Sequence, residues 1–293
     1  METRTSTVET PDGRSLCVES GGDPAGRPVL VHNGTPASRL MADHELKDAE
    51  ERGIHLISYD RPGYGGSTAK PGRTVADCAS DVRAIADAFG IDRLAIWGIS
   101  GGGPHALACA ALLPDLVSAV ASLASVAPYG DPSLDYFTGM GQANVDDIKQ
   151  FLDDPVAARE QSAKDREDVL SRTPEMVQEA MESLLSPADL AVLTPELASY
   201  LCESSRVGLA PGDEGWWDDG VAHMSPWGFD FDDIGLPVQL WHGEQDRFVP
   251  IQHGEWLADR IPGVEAHLTE TDGHLTLLAL HLPEVHEWLL QYA

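Results

Sequence analysis

Ser100 stands in the stretch Gly98-Ile99-Ser100-Gly101-Gly102-Gly103, between the apolar run Leu94-Ala95-Ile96-Trp97 and an alanine- and leucine-rich segment that opens with Pro104. The apolar run has the continuous hydrophobicity of a strand buried on both faces. The segment after it has the spacing of a helix with proline in its first turn. A serine on such a strand-to-helix turn suits two chemistries. Gly101, Gly103 and Ala106 match G-x-G-x-x-A, a loop that brings a dinucleotide's pyrophosphate to a helix N-terminus. Gly98, Ser100 and Gly102 match G-x-S-x-G, the nucleophile elbow, where small residues two before and two after the serine let the turn close and expose the hydroxyl.

The elements that must position this serine come from hydrophobic periodicity. Short apolar runs at 28–34, 55–60, 93–98, 118–128, 237–243 and 264–270 read as strands. Val82, Ile85, Ala86 and Phe89 recur at i, i+3, i+4 and i+7, with Gly90 as a C-terminal stop, so this segment reads as a helix. The alternation predicts an α/β fold with a mostly parallel sheet flanked by helices, after a leading hairpin in residues 6–22. Between 129 and 232 the alternation breaks. Three helical stretches are followed by GDEGWWDDGVAHMSPWGFDFDDIGLP, which reads as loop. The expected organisation is a core of residues 1–128 and 233–293 interrupted by a helical insertion at 129–232.

Sites in open parallel sheets lie beyond the carboxyl ends of the strands. There the sequence places Asn33-Gly34-Thr35-Pro36, the stretch RPGYGGS, Ser100, Glu244-Gln245-Asp246, and Asp272-Gly273-His274. A nucleophile, an acid and a base thus follow in the order Ser100, Asp246, His274, each past a different strand. The elbow, DRPGYGGS and DGH together resemble the α/β-hydrolase superfamily, with the insertion as its helical cap. The phosphate-loop alternative weakens, because the next apolar run, SAVASLASVAP, ends without the acid that holds a ribose, and no lysine follows the glycines.

The resemblance implies a serine hydrolase in which His274 is the base and Asp246 its partner, chosen over Glu244 and Asp272 by G-x-x-D spacing from Gly243. It also implies backbone oxyanion donors at Thr35 and Gly101, with Asn33 where the family often has histidine. His281 and His286 read as surface or core residues, Asp60 as a structural turn acid, and His105 as a helix-start residue that caps or packs. Tyr136, Phe137, Met140, Trp216, Trp217 and Trp227 are candidates to line the substrate pocket. Trp216-Trp217 with Asp218-Asp219 is a candidate holder of a cationic or polar group.

A serine nucleophile without cofactor or metal points to cleavage of a small or medium apolar ester, lactone or thioester. A proline-iminopeptidase-like aminopeptidase using Glu203, Glu214, Asp218 and Asp219 to hold an amine is the alternative within the superfamily. A ligand receptor on the same scaffold, with little turnover, is the alternative of another class. The expected partner is a small ester or amide. Forty-eight acidic against nineteen basic side chains give a net charge of −29, which disfavours nucleic acid and anionic membranes. No H-E-x-x-H or clustered His/Cys set suggests a metal, and the four scattered cysteines read as small buried apolar residues. The polar N-terminal stretch METRTSTVETPDGR lacks the apolar core of a secretory signal, so a cytoplasmic protein is expected.

Overall fold

The computed structural model describes residues 2–293. Eight strands form one sheet: β1 (Arg4–Glu9), β2 (Ser15–Gly22), β3 (Arg27–His32), β4 (Ile54–Tyr59), β5 (Leu94–Ile99), β6 (Val117–Leu123), β7 (Val238–Gly243) and β8 (Glu265–Thr269). Their spatial order is β1-β2-β4-β3-β5-β6-β7-β8. β1 and β2 form the expected antiparallel hairpin, β2 joins β4 antiparallel, and every pairing from β4 to β8 is parallel. This is the mostly parallel α/β sheet the alternation predicts.

The central strands read as unbroken apolar runs because both of their faces are covered. Alternate residues divide between two cores, as the two-residue period of a strand requires. Leu30, Ile57, Leu94 and Ile96 pack on one side, with Val82 and Ile85 of α2 (Cys78–Phe89), Leu107 of α3 (Gly103–Leu112) and Leu257 of α10 (Ile251–Arg260). Val31, Leu56, Ala95 and Trp97 pack on the other, with Leu46 of α1 (Asp43–Glu51) and Leu277, Val285 and Leu289 of α11 (His274–Leu289). Each such Leu, Ile or Val side chain contributes about 1.5–3 kcal/mol by leaving water. Gly90 ends α2 at φ 68°, the left-handed cap expected there.

The segment between β6 and β7 is helical: α4 (Gln142–Asp153), α5 (Pro155–Ser171), α6 (Val177–Ala180), α7 (Pro187–Val192), α8 (Pro195–Gly208) and α9 (Glu214–Met224). Helix α9 corrects the expectation of a loop after residue 212. Two glycines, two tryptophans and two aspartates make Glu214–Met224 a poor helix by intrinsic propensity. Burial of Gly215, Asp218, Asp219, Ala222 and His223 supplies what propensity lacks. Among the described residues, no helix is long and apolar enough to cross a membrane.

Candidate active site

Strand pairing brings the first two loops together. β3 lies beside β5 with His32 opposite Gly98, so Asn33–Thr35 leave the sheet next to Ile99–Gly101. The chain then turns so tightly that Ser100 takes φ 54°, a left-handed conformation costing a serine on the order of 1–3 kcal/mol. The flanking glycines make that turn possible. A Cβ on Gly98 would come within 2.5 Å of the Gly102 carbonyl oxygen, and one on Gly102 would collide with the His32 carbonyl. The stretch is therefore shaped as an elbow, with the serine lifted off the end of β5.

The candidate base and acid arrive from the far half of the sheet. Asp246 follows β7, and His274 opens α11 after β8. The imidazole Nδ1 lies 2.7 Å from Asp246 Oδ2, and both side chains are buried. The other carboxylate oxygen, Oδ1, accepts the backbone N–H groups of Phe248 (2.8 Å) and Val249 (2.9 Å), which fix the carboxylate plane. The Phe248 ring stacks on the imidazole with centroids 4.5 Å apart. Burial works to lower the His274 pKa, but the charge and hydrogen bond of Asp246, with Asp189 further away, raise it above the ordinary value. Of the competing acids, Asp272 accepts from His281 Nε2 at 3.2 Å, and Glu244 is exposed.

Ser100, Gly101, Thr35 and His274 line one cavity of about 590 Å³. Thr35 approaches Gly101 so closely that its hydroxyl would strike a Cβ placed there. Behind the elbow, His105 Nδ1 (2.9 Å) and His223 Nε2 (3.0 Å) both donate to the Gly101 carbonyl. Burial holds both imidazoles neutral, His105 well below its usual range and His223 near 4. Asn33, at the position where histidine is often found, donates its Nδ2 to the Ser38 carbonyl at 2.8 Å and the Ser58 hydroxyl at 3.2 Å, bracing the loop from inside. Asp60 braces the next loop by accepting Arg39 and the Gly66 N–H. A serine on a strained elbow, sharing a cavity with a carboxylate-paired imidazole, is equipped for nucleophilic attack with proton transfer.

Four of the six pocket candidates, Tyr136, Met140, Trp216 and Trp217, line the cavity. Two do not. Phe137 packs edge-on against Tyr136 and Tyr129, and Trp227 is sunk in the core against Phe229 and Phe231. The carboxylates weighed as amine or cation holders also lie elsewhere. Glu203 pairs with Arg206 at 2.6 Å, Asp219 is buried between two arginines, and neither Glu214 nor Asp218 lines the cavity. Those that do line it are Asp147, Asp165 and Asp168, which sequence reasoning did not single out. His286 is buried against Asp48, a core residue as expected.

The expectation of no clustered His/Cys set needs correction, because tertiary packing gathers His32, Cys78 and Cys109. Cys109 Sγ lies 3.7 Å from His32 Nε2 and 3.8 Å from Cys78 Sγ. Burial pushes the Cys78 thiol well above its ordinary range, and none of the three residues lines the cavity.

Asp189 was also missed, although Ser186-Pro187-Ala188-Asp189 carries the S-x-x-D signature of a helix start. Its Oδ2 accepts the Ser186 N–H and hydroxyl, and its Oδ1 reaches across to the Leu275 N–H at 2.7 Å, at the first turn of α11. A carboxylate there satisfies a free N–H and opposes the positive end of the helix dipole. Asp189→Ala is expected to cost about 1–3 kcal/mol by stranding buried donors. Thermal unfolding should record a fall of several degrees, and an unchanged midpoint would refute the assignment.

The family described as alpha/beta hydrolase fold matches residues 27–279. The chain is 26% identical over 290 residues to the rhodomycin D methylesterase DauP of Streptomyces sp. strain C5, covering 94% of this chain and 93% of that one. It is 25% identical over 271 residues to the AB hydrolase superfamily protein YisY of Bacillus subtilis, covering 91% of each. A thermophilic esterase from Thermogutta terrifontis has the same fold, with TM-score 0.70, 20% identity and 98% of each chain covered. With the family match spanning most of its length and the eight-stranded sheet agreeing, the chain belongs to the alpha/beta hydrolase fold family.

Proposed function

We propose that the protein is a serine hydrolase cleaving a small or medium apolar carboxylic ester, lactone or thioester through an acyl-enzyme on Ser100. The observation that carries this reading is the 2.7 Å His274–Asp246 bond in the cavity that holds the elbow serine. In the first step Ser100 Oγ bonds to the acyl carbon while its proton passes to the free Nε2 of His274. The carbonyl π electrons move to oxygen, and the N–H groups of Thr35 and Gly101 donate to this oxyanion. Collapse breaks the bond to the leaving alkoxide or thiolate, which takes the proton from His274. A water deprotonated by His274 then attacks the acyl-enzyme and releases the acid, regenerating Ser100. The helical insertion acts as the cap, its Tyr136, Met140, Trp216 and Trp217 supplying apolar walls. A methylesterase among the relatives favours an ester.

Intact-mass analysis after fluorophosphonate treatment, alongside turnover of acetate and butyrate aryl esters, tests the reading. One adduct per chain and sustained ester turnover are expected. A folded protein that takes no adduct would overturn it. Acylation once followed by a stall would mark a receptor, and a higher rate on a proline naphthylamide than on any ester would mark an aminopeptidase.

The protonation state of His274 sets the pH dependence of the proposed reaction. The neutral imidazole accepts the serine proton, so kcat/KM falls as pH drops through the His274 pKa. Because Asp246 raises that pKa, the acid limb is expected above the ordinary imidazole value. The linked stability has the opposite sense. It is complete below the unfolded-state pKa and lost as pH rises through the raised one. A pH–rate profile with its acid limb at or below the free imidazole value would contradict the assignment.

A further inference from the structure

Helix α9 sends one carboxylate against Thr35, in the loop that follows β3, without reaching the cavity itself. Asp219 is fully buried and accepts Arg61 Nη2 at 2.6 Å, Arg73 Nη2 at 2.6 Å, Tyr64 OH at 2.9 Å and Thr35 Oγ1 at 2.8 Å. Burial works to raise its pKa, but the two guanidiniums outweigh burial and hold it well below the carboxylate range. Arg61 is the more consequential partner. From its seat on Asp219 it donates to the Asn33 carbonyl, to the Gly34 carbonyl at 2.9 Å and to Thr35 Oγ1 at 2.9 Å.

The Gly34 carbonyl and the Thr35 N–H belong to one peptide unit. In a trans peptide-bond plane these two groups point in opposite directions, so whatever clamps the carbonyl also aims the N–H. The guanidinium therefore sets the direction of the N–H that the ester-hydrolase reading assigns to the oxyanion. A charged donor on the carbonyl also polarises the amide and strengthens its N–H as a donor. The Thr35 hydroxyl, bonded to both Arg61 and Asp219, ties down the same residue from its side chain. A buried ion pair is weak evidence for stability as such, because desolvation offsets the attraction. The detail that matters is where this one directs its remaining donors.

We infer that Asp219 and Arg61 are positioning residues for the Thr35 oxyanion donor, so that the cap contributes to transition-state stabilisation as well as to the roof of the cavity. The inference rests on the proposed ester hydrolysis. Binding of the ground-state ester depends little on that N–H, so its misalignment lowers kcat and spares KM.

The test is steady-state kinetics on an aryl butyrate, with melting temperatures, for wild type, Asp219→Asn, Thr35→Val and Tyr64→Phe. Losing one oxyanion donor costs about 10²–10³ in kcat, so misaiming one is expected to cost roughly 10- to 100-fold in Asp219→Asn and Thr35→Val, with KM changed less than about threefold. Tyr64→Phe removes a bond to the same carboxylate without touching the loop backbone. It should lower the melting temperature yet keep kcat within about twofold. Asp219→Asn strands two buried arginines; should it not fold, the near-isosteric Thr35→Val decides alone. Thr35→Val with near-wild-type kcat, or Tyr64→Phe losing as much kcat as the others, would overturn the inference. Both outcomes require an active wild type. A wild type that neither labels nor turns over ester would defeat the hydrolase reading, and this inference with it.

Discussion

Ser100→Ala is expected to lower kcat for ester hydrolysis by about 10⁶ and to abolish the fluorophosphonate adduct, while the protein stays folded. The size of the loss follows from the division of labour in the site. Without Oγ there is no atom to carry the acyl group, and His274 has no proton to accept from it. On the proposed mechanism, what survives is the residual catalysis of ester binding and of the oxyanion donors. The alanine occupies the same backbone, at the same φ of 54°, so the strain of the elbow is retained and the melting temperature should be close to wild type. Measuring kcat, adduct mass and thermal unfolding on the same preparation separates loss of the nucleophile from loss of the fold. A variant that keeps more than about a hundredth of wild-type kcat would place the nucleophile elsewhere.

Asp246→Asn should cost about 10⁴ in kcat. The environment of this carboxylate makes the effect specific. Its Oδ1 is already taken by two N–H donors, from Phe248 and Val249. An asparagine must therefore keep its oxygen on those donors and turn its NH₂ toward His274 Nδ1. The imidazole then accepts at Nδ1 and carries its proton on Nε2, the tautomer that cannot take the serine's proton. The same change removes the negative charge that raises the His274 pKa, so the acid limb of the residual activity should move to lower pH. A variant retaining more than about a tenth of wild-type kcat, or an unmoved acid limb, would argue that the Asp246–His274 bond is structural only.

The strands and the elbow were legible because they rest on local rules. Unbroken apolar runs mark strands covered on both faces, and Gly98 and Gly102 mark a turn with no space for a Cβ. The resemblance, through its G-x-x-D spacing from Gly243, pointed to Asp246, the acid that the structure finds on His274. The helix α9 was not legible, because its glycines and aspartates contradict helix propensity and only burial holds it together. Aromatic type was a poor guide to the cavity wall for a related reason. Trp216 and Trp227 look alike in the chain, yet one lines the cavity and the other fills the core, depending on which face of the fold each meets.

The α/β class, the helical character of the segment between β6 and β7, and the placement of Ser100, Asp246 and His274 past strand ends were readable from the sequence alone because periodicity and turn chemistry are written in neighbouring residues. Tertiary structure alone decided that Asp219 sits between Arg61 and Arg73, that Asp189 meets the first turn of α11, and that His32, Cys78 and Cys109 converge. Arg61 and Asp219 are 158 positions apart, and Asp189 and Leu275 are 86 apart. No local pattern links residues so distant. Buried charges and free helix N–H groups must find partners wherever packing brings them, and packing is settled only when the whole chain has closed on its core.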